Sequence, residues 1–234
     1  MDKRIKLSLF PIMLFILVIW LIEIIQLTMN ISWSEWGIIP RTVIGLKGIL
    51  FSPFLHSGIP HLIANTSALF VLGWMLFYFY RDIAWFVFIV CWFMSGFFTW
   101  ILGRNGVHIG ASSIIYSIAF FLLFSGIIRK NRKLCAISFI TIFIYGSMFW
   151  NILPISELIR PDTSWEGHLG GAIAGFMSAI IFRNKGPKPD KGIEDMDDDD
   201  DDDSHNNGGG HKVCPVLEPV KHDNNRNGVI NNHH

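Results

Sequence analysis

Long apolar runs separated by short polar ones fill the chain as far as Phe182, and beyond Phe182 the pattern stops. A spanning helix needs about 20 mainly apolar residues, rising about 1.5 Å each, to cross a hydrocarbon core of about 30 Å. Six stretches fit that pattern: Leu7 to Thr28, His61 to Tyr80, Ile83 to Leu102, Ala111 to Ile128, Leu134 to Leu153 and His168 to Phe182, the last being short unless it starts nearer Glu166. The basic "MDKRIK" before the first run is what a signal peptide would carry, but the run is too long for one and no small-residue cleavage site follows cleanly, so it counts as a helix. The pattern predicts an all-α, polytopic membrane protein: a six-transmembrane-helix bundle over residues 1–182 and a polar tail over 183–234. That tail contains "DMDDDDDDDSHNNGGGH" and has too few apolar residues to offset the entropy of ordering, so it is expected to be disordered, solvated and without a partner.

Composition agrees with a membrane part. Of 234 residues 51% are hydrophobic and only 16% charged, low for a soluble domain of this length. The formal net charge of zero is a cancellation between a basic membrane part and an acidic tail, and gives nucleic-acid binding no support. Lys and Arg fix an orientation, because positive short loops stay in the cytoplasm. With the N-terminus inside, Lys3, Arg4, Lys6, Arg81, the Arg129, Lys130, Arg132 and Lys133 cluster, Arg183 and Lys185 all fall inside. Only Arg41, Lys47, Arg104 and Arg160 fall outside. Both termini are then cytoplasmic, in a protein of the cell (plasma) membrane. Cys91 and Cys135 fall in helices and Cys214 in the tail, which suggests no disulfide framework.

In that topology five of the nine histidines lie in the tail, and the other four, His56, His61, His108 and His168, all fall on the outer side. Strongly polar groups at membrane depth are costly and usually face a bundle interior or a water-filled cavity. His61 and Asn65 stand one helical turn apart, so both can direct hydrogen bonds toward one point; a helix-start histidine plus an interhelical asparagine would look the same. In "HIGASSIIYS", Ser112 sits where a helix begins, near free N–H groups and the positive end of the helix dipole, a place that suits a developing oxyanion and equally suits an ordinary N-cap. In "SWEGHLGGAIAGF", Gly171, Ala172, Gly175 and Ala179 continue the face of His168 as a stripe of small residues. A neighbouring helix can nest there, with or without chemistry. Ser112 is followed on its own face by Tyr116 and Ala119, so these two helices could pack and bring Ser112 and His168 to one depth. Together the three segments supply what a serine hydrolase needs: a nucleophile, a base and oxyanion donors. No carboxylate stands out as a third member. Glu166 is two residues from His168 and points elsewhere on a helix, and Asp162 lies in a loop.

These residues resemble the rhomboid family of intramembrane serine proteases. The likeness covers roughly Trp36 to Phe182 and rests on "GIIPR", "FLHSGIPHLIAN", "GASSIIY" and "GHLGGAIAG" in that order. It implies Ser112 as nucleophile and His168 as general base of a dyad, which needs no acid, cofactor or metal. It implies an oxyanion hole made by His61, Asn65 and the backbone N–H of Ser112, a supporting role for Tyr116 beside the histidine ring, and a structural role for His56. Gly171 and Gly175 would be the packing stripe. The substrates implied are transmembrane proteins cut near the outer face, at helices whose ends unwind readily. The family motif usually reads Gly-x-Ser-Gly, and Ser113 replaces the second glycine here. The apolar loop from Asn30 to Pro60 is expected in the outer leaflet, and Pro154 to Trp165 over the serine. Two alternatives remain: a rhomboid-like protein that binds membrane clients without cutting them, and a metalloprotein using His56, His61, His108 and His168, although the chain has no "HExxH".

Overall fold

In hydrocarbon no water satisfies backbone N–H and C=O groups, so long apolar runs close those groups on themselves as helices. The structure, a computed structural model, describes residues 3–144, 152 and 164–186. Its helices are α1 (Lys3–Met29), α2 (Lys47–Phe51), α3 (Ile59–Phe79), α4 (Ala84–Leu102), α5 (Ser112–Ile128), α6 (Arg132–Ile144) and α7 (Trp165–Ile181). Among the described residues the fold is all-helical, with 3-10 turns at Ser34–Trp36, Ile44–Leu46 and Ser52–Phe54 and a single isolated bridge between Ile38 and His108. Helices α1, α3 and α4 are long and apolar enough to cross a membrane, and α5 is an apolar helix of 17 residues. All the described residues belong to one compact unit, Met1–Asp190. The second unit, Lys191–His234, lies outside them, as do the tail from residue 187, the predicted fifth helix beyond Ile144 except for residue 152, and residues 154–163 of the expected cap.

Helix α5 occupies the middle. It is apolar along its whole length and most of its residues are buried, Ile114, Ile118, Phe121 and Leu122 completely, so it has neighbours on all sides. Helix α7 is the most intimate of these. It presents Gly171 and Gly175 to α5 and Gly170 to α4, where a Cβ would lie 3.0 Å from the Phe98 Cβ and 3.1 Å from the Thr99 nitrogen. Helix α7 starts at Trp165, ahead of the predicted His168, because Ser164 caps it: the Ser164 hydroxyl oxygen accepts from the Gly167 N–H at 3.1 Å.

Helix α1 lies along α3 through one stripe, Ser8, Ile12, Ile16, Ile19, Glu23 and Gln26, while Phe10, Leu17 and Leu21 on its other side are exposed. The Ile12 side chain fills the gap left by Gly73, and two indoles tie the pair: Trp20 donates to Thr66 at 3.0 Å and Trp74 to Ser8 at 3.1 Å.

Between α1 and α3 the chain folds back on itself as a wedge. Gly48 meets the backbone of Gly37 and Ile38, and Gly45 meets that of Ile39, so neither position has room for a side chain. Trp92 of α4 donates to the Ile49 carbonyl at 2.9 Å, and Ile38 exchanges two 2.9 Å backbone hydrogen bonds with His108. Arg41 closes the edge by donating to the carbonyls of Ile101 at 3.1 Å and Gly103 at 2.6 Å and to Asn105 at 3.2 Å. The wedge thereby braces the α4–α5 connection that leads into Ser112.

At the opposite end of the bundle, Tyr80 donates to Ser125 of α5 at 2.7 Å. The buried Arg129 donates to Ser125 at 3.0 Å and to the Phe182 carbonyl just past α7. One guanidinium thus joins the far ends of α5 and α7.

Candidate functional site

The small-residue stripe on α7 meets α5, as its spacing predicts. A Cβ at Gly171 would collide with the Ser113 carbonyl oxygen and lie 2.9 Å from the Tyr116 Cβ. At Gly175 it would collide with the Ser117 carbonyl and lie 2.9 Å from the Phe120 Cβ. The two helices therefore run parallel, and the space the glycines leave is taken by α5 backbone rather than by the Ala119 methyl. One turn nearer their N-termini stands His168, buried, with its ring stacked on Tyr116 at 4.2 Å between centroids.

Ser112 is the first residue of α5, one later than the predicted start at Ala111. Ala111 occupies the cap position and no side chain caps the helix there. The cap explanation for a serine in this segment therefore fails for Ser112, and the first-turn N–H groups lack a side-chain cap. Ser112 lines a small cavity with Gly110, His108, Ser164 and Gly167, between the α4–α5 connection and the start of α7.

Gly110 controls the approach. Its φ of +109° suits only glycine, and its N–H donates to the Ser52 carbonyl at 2.8 Å. A Cβ here would lie 2.8 Å from His61 Cε1, 3.0 Å from His61 Nε2 and 3.4 Å from Asn65 Nδ2. The two polar residues at the start of α3 thus converge on the connection two residues before Ser112. Each is held from behind. His61 Nδ1 pairs with the Ser57 hydroxyl at 3.2 Å, and Asn65 Nδ2 donates to His56 Nε2 at 3.0 Å.

His56 can accept because it is neutral. Burial, reinforced by the nearby His61, pushes its pKa down to about 3, with the Phe54 backbone opposing in part. With Nε2 accepting, the ring proton sits on Nδ1, which is buried without a well-formed hydrogen bond among the described residues. His56 is thus the acceptor that meets the Asn65 amide.

Three residues near the cavity carry more than their spacing suggested. His108 is buried and bonded at both ring nitrogens, to the Ser164 hydroxyl at 2.6 Å and the Arg104 carbonyl at 2.9 Å. Ser164 had a legible signal, a serine just before a helical apolar stretch. Glu166 is buried, with Oε1 3.7 Å from Arg104 Nε and Oε2 without a hydrogen bond among the described residues. Among the described residues no three His, Cys, Asp or Glu side chains group so as to hold a metal ion. His108 is engaged with Ser164 and Arg104, and His168 with Tyr116, so the four outer histidines do not form one ligand set.

Comparison with known proteins gives a consistent result. The family model described as Rhomboid domain matches residues 43–185. An uncharacterized protein of Mycobacterium tuberculosis is 33% identical over 179 residues, 73% of this chain and 73% of its own length. An uncharacterized protein of Mycobacterium leprae is 32% identical over 179 residues, 73% of this chain and 69% of its own length.

Proposed function

Because the chain belongs to the rhomboid family, and is an integral membrane protein by that membership and by its apolar helices, we propose that it is an intramembrane serine endopeptidase. Its substrates are other transmembrane proteins, cut near the outer face of the cell membrane. In this reading six helices span the bilayer with both termini in the cytoplasm, following the bias of Lys and Arg toward one side.

The mechanism uses a Ser-His dyad. The Ser112 hydroxyl attacks the scissile carbonyl carbon while the His168 imidazole accepts its proton. The carbonyl oxygen becomes an oxyanion held by His61, Asn65 and the Ser112 N–H. When the C–N bond breaks, His168 returns the proton to the leaving amine and an ester remains on Ser112. A water then attacks that ester, losing its proton to His168, and the second collapse frees the acid and restores the hydroxyl. Tyr116 keeps the imidazole flat and facing the nucleophile.

The observation that carries this reading is the convergence on one connection. His61 Nε2 and Asn65 Nδ2 both face Gly110, two residues before Ser112, while α7 packs in parallel against the first turns of α5 with His168 at its start. The test is purified protein incubated with a labelled transmembrane substrate and, separately, with a fluorophosphonate. Wild type should cleave and carry the label on Ser112, and Ser112→Ala should do neither. Equal cleavage by both, or wild-type cleavage abolished by a chelator and indifferent to fluorophosphonate, would overturn the proposal.

A further inference from the structure

We infer that His108 is a positioning residue, the middle of a hydrogen-bonded latch that sets the first turn of α7, and with it His168, against the connection that carries Ser112. The inference rests on the protease reading for its consequence in rate, though not for the latch itself.

The polarity of the latch follows from its ends. The Arg104 carbonyl only accepts, so His108 Nε2 carries a hydrogen and donates to it at 2.9 Å. In the neutral ring, Nδ1 then accepts the Ser164 O–H at 2.6 Å. The Ser164 oxygen in turn accepts the Gly167 N–H at 3.1 Å, and the Ser164 carbonyl receives the His168 N–H at 3.3 Å. A continuous path therefore runs from the residue just past α4, through one imidazole and one hydroxyl, to the Gly167 N–H beside His168. Both side chains line the cavity beside Ser112.

The imidazole is well placed to bear that load. Its backbone is pinned by the two-way bridge to Ile38, its side chain is buried, and both ring nitrogens are engaged. The glycine stripe decides how near α7 comes to α5. Hydrogen bonds are directional, and this pair adds what close packing leaves loose, the axial position and rotation of the first turn. Proton transfer needs heavy atoms within about 2.6 to 3.2 Å, and a displacement of about 1 Å can cost about 100-fold in rate.

The experiment uses the full chain in detergent with three variants: His108→Leu, Ser164→Gly and the double. Glycine is tolerated at an N-cap, so Ser164→Gly removes the latch with little harm to the helix. Each single variant should lower kcat on a transmembrane substrate by about 10- to 100-fold while KM stays within about twofold. The double should be no slower than the slower single, because both break one link. In His108→Leu, where the Ser164 cap survives, hydrogen exchange at the Gly167 and His168 amides should quicken about tenfold while the rest of α7 is unchanged. Wild-type kcat in either single variant, or losses that multiply in the double, would overturn the role in catalysis. Unchanged exchange in His108→Leu would overturn the latch itself. Should wild type neither cleave nor take fluorophosphonate, the protease reading fails and the exchange measurement alone decides the latch.

Discussion

The imidazole of His168 lies almost parallel to the phenol ring of Tyr116, with 4.2 Å between centroids and 13° between planes. Such a stack limits ring rotation without adding charge, and aromatic pairs contribute roughly 0.5–1.5 kcal/mol beyond their buried area. Tyr116→Phe keeps the flat surface and should retain kcat within about threefold. Tyr116→Ala removes it and should lose up to about tenfold, in line with that energy. Steady-state cleavage of a transmembrane substrate by both variants checks this, and equal rates would show that the stack does not orient the base.

Gly171 separates packing from chemistry. In Gly171→Val the new side chain must displace the Ser113 carbonyl and the Tyr116 Cβ, both in the first turns of α5. Overpacking of this kind costs about 1–3 kcal/mol. The variant should insert into the membrane normally and lose about 100-fold or more in activity, because the helices bearing Ser112 and His168 are forced apart. Turnover at the wild-type level, measured beside a membrane-fractionation control, would rule out this dependence on close approach.

His56 predicts an acid limb in stability. Its folded pKa is about 3 against an ordinary 6.5, so between those values the unfolded chain binds the extra proton. Stability is then complete above pH 6.5 and falls with acidification toward pH 3, by up to about 1.4 kcal/mol per pH unit. His56→Gln keeps a hydrogen-bonding side chain but has nothing to titrate. Its melting temperature in detergent should fall less steeply between pH 6.5 and pH 4 than that of wild type, and matching slopes would remove His56 as the cause.

Features that repeat along the chain were legible. The long helices α1, α3, α4 and α5 follow from apolar length alone, and the face of α7 carrying Gly171 and Gly175 follows from helical spacing, since both arise within one segment. The pairing of His61 with Asn65 was legible for the same reason. What each pair leans on was not. Asn65 is oriented by His56 from beyond the start of α3, and His108 is bonded to a serine 56 residues away, a partnership fixed only when the wedge and α7 close around it. The wedge itself read as an apolar loop. Its order comes from Gly45 and Gly48 admitting backbone against backbone, a tertiary fit that no periodicity announces.

Arg129 reaches from the end of α5 to the Phe182 carbonyl, while His108 and Ser164 fasten the other extremity of α7. Stapled at top and bottom and interlocked between, α5 and α7 form a spine that cannot splay without breaking these hydrogen bonds. Any rearrangement that spares those bonds falls to the surrounding elements and leaves the spine unbent.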